Sequence, residues 1–198
     1  MTLKDKLIKR IFDVFAAFFG LLFSTPIIIV AWAVAAVDTK SNGFFVQLRV
    51  GMSGKLIKII KIKTMKNTAL HRSSITTESV TSITNSGVFF RKYKIDELPQ
   101  LWNVLKGDMS FVGPRPDVPG YADVLTEDDC IILTVRPGIT GPASIKYKNE
   151  EELLLGQVNP KQYNDEVIWP DKVNINKKYI KDYTFINDVK YIIQTIRG

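Results

Sequence analysis

Val14 to Val37 is an unbroken run of 24 residues without a charge, and no other stretch limits the fold as much. As a helix the run is about 36 Å long, enough to cross the hydrocarbon core of a bilayer. It is too long for the apolar core of a cleaved signal peptide, and no small-x-small cleavage site follows it. Ser24-Thr25-Pro26 stands at its middle. A proline there removes one backbone hydrogen bond and crowds the preceding turn, so a kink is expected. Neighbouring hydroxyls can satisfy the carbonyls that a kink frees. The arms, 14–23 and 26–37, are each about 15–18 Å long, half a bilayer.

Charge then bears on topology. Lys4, Lys6, Lys9 and Arg10 precede the run. Lys40, Arg49, Lys55, Lys58, Lys61, Lys63 and Lys66 follow it, with no acid between residues 39 and 66; these cations equal the chain's formal net charge of +7. Segments rich in Lys and Arg stay on the cytoplasmic side. Basic flanks at both ends favour a bent segment that enters and leaves one leaflet over a straight span, the alternative that a proline kink also permits. The expected organisation is a re-entrant N-terminal membrane helix hairpin with a basic start (1–38) and a cytoplasmic domain (39–198). The basic stretch suits anionic headgroups or a phosphorylated substrate. No nucleic-acid-binding motif accompanies it, so nucleic acid is not an expected partner.

The rest of the chain reads as α+β, compact and mainly helical. Residues 44–51 and 54–63 form two short strands around Gly51-Met52-Ser53-Gly54. Residues 67–86, rich in Ser, Thr and Asn, are a surface loop that holds the only histidine, His71. Helices are expected over 87–93 and 97–106, a proline-fixed loop over 136–142, and a capping box from Asn149 into Glu150, Glu151 and Glu152. The tail, 179–197, carries a broad apolar helical face broken near Thr184, a core helix or an interfacial one. One cysteine, Cys130, excludes an internal disulfide and a cysteine-based zinc site. A single histidine leaves almost no material for a Ser-His-Asp triad.

Asp96-Glu97 is the densest chemical signal. Leu98, Leu101, Trp102 and Leu105 recur at helical spacing, Gly107 is a plausible stop, and Pro99 fits only a first turn. The two acids therefore fall at a helix start, where the macrodipole favours negative charge. An acidic N-cap accounts for such a pair as readily as a reactive carboxylate does.

Several motifs stand in one order along the chain. They are Lys9-Arg10-Ile11-Phe12-Asp13, Ser24…Pro26, Gln47-x-Arg49-x-Gly51, Lys61-x-Lys63-Thr64-Met65, Arg91…Asp96-Glu97-Leu98-Pro99-Gln100-Leu101, Gly107-Asp108-Met109-Ser110, Val112-Gly113-Pro114-Arg115-Pro116 and Arg136-Pro137-Gly138-Ile139-Thr140-Gly141. Over nearly its whole length the chain resembles the bacterial sugar transferases called small monotopic phosphoglycosyl transferases. The resemblance implies an enzyme of the inner membrane, catalytic domain toward the cytoplasm, that starts surface-glycan assembly. It would move a sugar-1-phosphate from a UDP-sugar to a polyprenol phosphate, undecaprenyl phosphate, and release UMP. Asp96 would be the nucleophile and form an aspartyl-phosphosugar intermediate; Glu97 would bind Mg²⁺, a hard cation suited to carboxylate and phosphate oxygens. The helix N-terminus would keep Asp96 ionised. Lys63, Arg91, Arg115 and Arg136 would bind substrate, the arginines by bidentate phosphate contacts. Ser24 and Pro26 would make the membrane kink.

Two departures stand out. Thr25 separates Ser24 from Pro26 where many members have Ser-Pro, and Asn176, before Tyr179, occupies a place where many carry an Asp. Residues 145–172 are longer than in the shortest members, and no extra N-terminal sensor or multi-span region is expected. The competing function is a non-catalytic membrane-surface protein that holds lipids through the basic stretch and the apolar segment.

Overall fold

The structure, a computed structural model, describes residues 1–66 and 83–197; His71 and most of the expected 67–86 loop lie outside the described residues. The first element, α1 (Leu3–Thr39), is a single helix of 37 residues. Thr2 and Asp5 open it with a reciprocal capping box, and Lys40 ends it in the left-handed region (φ 49°). The helix runs through Pro26 without a break, so the expected hairpin is not formed as two separate helices. Thr25 Oγ donates to Leu21 O (2.6 Å), a hydroxyl tie in the turn before the proline. Ser24 is buried, and its hydroxyl makes no hydrogen bond.

The buried positions of α1 are Lys9, Asp13, Ala17, Ser24, Ala31, Ala35 and Thr39, one stripe at helical spacing. The stripe meets the rest of the protein at both ends. Near the start, Arg10 donates to Val104 O and Leu105 O, and Asp13 accepts from Ser110 Oγ and Phe111 N (both 3.1 Å). Near the end, Ala31 and Ala35 pack with Ile62 and Phe90, and Ser86 donates to Asp38. Phe15, Phe18, Phe19, Leu22, Phe23, Ile27, Ile29 and Val30 remain about half exposed or more, so the other face is continuous hydrocarbon. Small residues on the packed side let backbones approach, and a large exposed apolar face signals an apolar surrounding.

An antiparallel hairpin follows: β1 (Phe44–Val50) and β2 (Leu56–Ile62), with Gln47 opposite Ile59 and Phe45 opposite Lys61. Its turn uses left-handed backbone at Ser53 (φ 58°) and Gly54 (φ 73°). α2 (Asn85–Lys92) starts two residues before the expected helix, because Thr84 caps it by accepting from Gly87 N. α3 (Gln100–Lys106) starts three residues later than expected, after a separate 3₁₀ turn over Ile95–Glu97. Its buried positions are Gln100, Leu101, Asn103 and Val104, while Trp102 is half exposed, so the packed face is rotated from the apolar spacing. The rotation has a polar cause. Fully buried Asn103 donates to Lys58 O (2.7 Å) and accepts from Ile60 N (3.3 Å), bonding α3 to β2.

The loop expected over 136–142 is partly a strand. β3 (Ser110–Val112) pairs in parallel with β4 (Gly138–Thr140). Close backbone approach explains the glycines: a Cβ on Gly138 would lie 2.2 Å from Gly113 N. Short helices α4 (Pro142–Lys146), α5 (Glu150–Leu155) and α6 (Pro160–Tyr163) lead to α7 (Trp169–Lys181) and α8 (Phe185–Arg197). The helix after Asn149 forms, but Asn149 makes no capping hydrogen bond; Glu150 pairs instead with Lys172.

The break near Thr184 is real and separates α7 from α8. At that joint the buried Asp188 accepts from Lys9 Nζ, Tyr179 OH (2.8 Å) and Tyr183 OH (3.2 Å). α8 turns Tyr191 and Ile192 onto a core of Val112, Ile132, Val135, Val173, Tyr179 and Ile180, yet leaves Ile186, Ile193 and Ile196 exposed.

Candidate active site

Lys94 adopts left-handed backbone (φ 57°) and turns the chain from α2 into the 3₁₀ turn that carries Asp96 and Glu97. Leu98 and Pro99 continue in right-handed helical geometry into α3, and Pro99 has no N–H to lose at that position. Asp96 therefore sits inside a turn and caps nothing. Its Oδ1 is buried and accepts no hydrogen bond. An N-cap carboxylate would accept from a backbone N–H two or three residues on, so the capping explanation does not hold.

The partner acid is held firmly. Glu97 Oε1 accepts from Lys61 Nζ (3.0 Å) and Arg115 Nη2 (3.2 Å). Burial alone would raise the Glu97 carboxyl, but Arg115 and Lys61 outweigh it and bring the pKa down to about 2. Asp96 moves the opposite way. Burial and the charge of Glu97 push it up from 3.8, while Lys61, Lys94 and Arg91 oppose the rise. The expected depression by a helix N-terminus is thus replaced by a net upward shift. At neutral pH one acid is ionised and occupied; the other has an unpartnered Oδ1 and is more basic than usual.

A concavity opens beside the pair, lined by Gln47, Arg49, Lys61, Gln100, Arg115 and Pro116 among others. Gln47 Oε1 accepts from Arg49 Nε (3.0 Å) and Nη2 (2.7 Å), which orients that guanidinium. Asp117 lies in the field of Arg49, Arg115 and Lys172, but burial prevails and raises its carboxyl to about 6. Arg49, Lys61 and Arg115 bring three cations to the wall, a chemistry that suits phosphate recognition.

The four cations expected at the site are not gathered into one place. Arg115 is there. Arg91 is near enough to oppose the upward shift of Asp96, but its hydrogen bonds go to Thr64 Oγ (3.1 Å) and Met65 Sδ (3.3 Å). Lys63 is committed to Ser41 Oγ (2.7 Å) at the end of α1. Arg136 donates to Gly107 O (2.8 Å) and joins Arg10 at the C-terminal carbonyls of α3, a helix-capping position. Lys61, Arg49, Gln47 and Gln100 fill the wall instead. All four belong to the motifs of the sequence, but only strand pairing and the seating of α3 distinguish Lys61 from Lys63.

Among the described residues no group of three or more His, Cys, Asp or Glu side chains could enclose a metal ion. A hard divalent cation that shares its shell with phosphate needs only one or two carboxylates. Asp96 Oδ1 is free, and both hydrogen bonds of Glu97 fall on Oε1, so the pair offers oxygens for such an ion.

Comparison with known proteins decides the family. The model of the family described as bacterial sugar transferase matches residues 4–198. The chain belongs to the bacterial sugar transferase family. One relative, named an uncharacterized sugar transferase, EpsL, of Bacillus subtilis, is 35% identical over 191 residues, covering 96% of this chain and 86% of its own. The UDP-glucose:undecaprenyl-phosphate glucose-1-phosphate transferase of Escherichia coli is 30% identical over 97% of this chain, but only 40% of its own length is matched. The UDP-N-acetylgalactosamine-undecaprenyl-phosphate N-acetylgalactosaminephosphotransferase of Aeromonas hydrophila is also 30% identical, with 43% of its length matched. The sugar transferase region in this chain thus corresponds to under half of those two proteins.

Proposed function

We propose that this sugar transferase moves a sugar-1-phosphate from a UDP-sugar to undecaprenyl phosphate, the first membrane step of a surface glycan. The observation that carries the reading is the asymmetric acid pair. Asp96 Oδ1 is buried and unpartnered, directly beside a Glu97 clamped by Lys61 and Arg115. Leaving a buried polar atom unpaired is costly, so a free carboxylate at such a place is held ready for a ligand or a reaction. The names of the relatives supply the substrate class.

In the proposed cycle an Asp96 carboxylate oxygen attacks the sugar-bearing phosphorus. The bond from that phosphorus to the bridging oxygen breaks, and UMP leaves with the electron pair. An oxygen of the polyprenol phosphate then attacks the same phosphorus and expels the Asp96 carboxylate. Burial and the neighbouring Glu97 charge raise the pKa of Asp96, so its carboxylate is more basic, and more nucleophilic, than an ordinary aspartate. Lys61 and Arg115 keep Glu97 ionised and add positive potential where phosphate charge accumulates. Glu97 would hold Mg²⁺. Bound there, the ion supplies charge neutralisation for the approach of a carboxylate to an anionic phosphate.

Packing supports a same-side topology. Both ends of α1 bond to one domain, Arg10 and Asp13 at one end and Asp38 at the other. A straight crossing would carry one flank away from that domain. We therefore read the helix as entering one leaflet from the cytoplasmic side, its exposed hydrocarbon face in lipid and the exposed isoleucines of α8 at the interface. A polyprenol phosphate keeps its tail in that leaflet and its headgroup at the level of the site.

The test is release of UMP from a panel of UDP-sugars by the full chain in detergent or nanodiscs, with Mg²⁺ and a short polyprenol phosphate. UMP with a phosphosugar adduct on the Asp96 peptide is the expected result. No UMP from any donor overturns the reading.

A further inference from the structure

Gln100 is the first residue of α3 and is 3% exposed, yet its Nε2 donates no hydrogen bond. Almost every buried side-chain amide in a folded protein is paired. The other polar groups of the same concavity have partners: Gln47 with Arg49, and both Lys61 and Arg115 with Glu97. Gln100 follows Asp96 by four residues through helical backbone, which brings the two side chains onto one side of the turn. Each carries an unsatisfied buried group, an acceptor on Asp96 and a donor on Gln100, and the two do not satisfy each other.

A ligand that completes this donor must bring an acceptor, and it must do so among Arg49, Lys61 and Arg115. An ionised phosphate, all acceptor oxygens, has that character. The amide also suits its neighbour. A lysine or arginine at 100 would pair with Asp96 one turn away and occupy its oxygens, whereas a neutral N–H holds a phosphate and leaves the carboxylate free.

We propose that Gln100 contacts substrate, its Nε2 donating to a non-bridging oxygen of the sugar-bearing phosphate. The assignment rests on the UDP-sugar reading of the site. It makes Gln100 the neutral counterpart of Arg115: one holds the phosphate by hydrogen bonding, the other by charge.

The experiment uses the full chain in nanodiscs with Gln100→Met, which keeps the length and removes the donors, and Gln100→Glu, which keeps the shape and reverses hydrogen-bond polarity. UDP and UMP binding are measured by calorimetry, and UMP release both in a single turnover without polyprenol phosphate and at steady state with it. UDP carries the second phosphate and UMP does not. Losing a hydrogen bond to a charged group is expected to weaken UDP binding and kcat/KM for the UDP-sugar about 10- to 100-fold, more for Gln100→Glu. UMP affinity and KM for polyprenol phosphate should stay at the wild-type values, and the melting temperature of Gln100→Met should not fall. Equal UDP affinity in wild type and Gln100→Met overturns the proposal, as does equal loss for UDP and UMP, or a loss that follows a lowered melting temperature. A wild-type enzyme that releases no UMP refutes the transferase reading separately, because the comparison of UDP with UMP still reports on Gln100.

Discussion

Replacing Asp96 with asparagine separates stability from turnover, because the structure gives the carboxylate no structural task. Asp96 Oδ1 is buried without a partner, and burial with the neighbouring Glu97 charge raises its pKa. A raised acid is bound more weakly by the fold when ionised than when protonated. Its contribution is fully present below the unfolded pKa near 3.8, is lost as pH rises through the folded value, and is a constant penalty above it. Asparagine removes the charge and its repulsion with Glu97 but keeps an unpaired carbonyl. Removing the charge relieves the extra cost of an unpaired ionised group over a neutral one, about 1 kcal/mol at pH 7. For a chain of this size that raises the melting temperature by about 2–4 °C. Turnover should fall by about 1,000-fold or more, since an amide cannot replace the attacking carboxylate. Thermal unfolding in one fixed detergent at pH 7 and pH 4, beside UMP release, checks both halves. The stabilisation should shrink at pH 4. Retained turnover, or a lower melting temperature at pH 7, would refute the argument.

Lys61→Met should cost about 1–3 kcal/mol by removing one charged hydrogen bond from buried Glu97, and thermal unfolding would show it; Lys63→Met should cost less, because its bond is to the Ser41 hydroxyl. The same Glu97 carboxyl, held at about 2, stabilises the fold above its unfolded value of 4.5, and that stability should fade as pH drops from 4.5 toward 2. Gly138→Ala should abolish folding or activity, since its Cβ would meet Gly113 N at 2.2 Å where no flexible side chain can yield; recovery of a well-folded, active variant would contradict the β3–β4 pairing. In a Cys130→Ser background, cysteines at Thr2 and at Lys40 should both resist a membrane-impermeant reagent applied from the periplasm, and labelling of either would rule out the same-side topology. Excess EDTA should stop UMP release and added Mg²⁺ should restore it; full turnover in EDTA would dispose of the metal.

Local pattern was sufficient for much of this protein. The uncharged run at 14–37 dictates a long apolar helix whatever follows it, and short runs rich in valine and isoleucine on either side of Gly51 and Gly54 dictate a hairpin. The break near Thr184 was also visible, because the helical apolar face lapses there. These signals are local: each needs only neighbours within a turn or two. The acid pair, too, stood out by its place before Pro99.

What the chain order could not choose is which partners long-range packing selects. Lys61 and Lys63 carry the same local signal; docking of α3 on β2 through Asn103 brings Glu97 to Lys61, 36 residues away, and leaves Lys63 to Ser41. Arg136 and Arg10 converge on the carbonyls of α3 only because β4 pairs with β3 and α1 lies along the same helix. Whether Asp96 was a cap or a free carboxylate turned on a single left-handed residue, Lys94, which put the pair in a 3₁₀ turn ahead of the helix. A helix or strand follows from periodicity because its hydrogen bonds are local. A charge network does not, because each cation can pair with any acid the fold brings within about 4 Å, and only the assembled tertiary structure sets that distance.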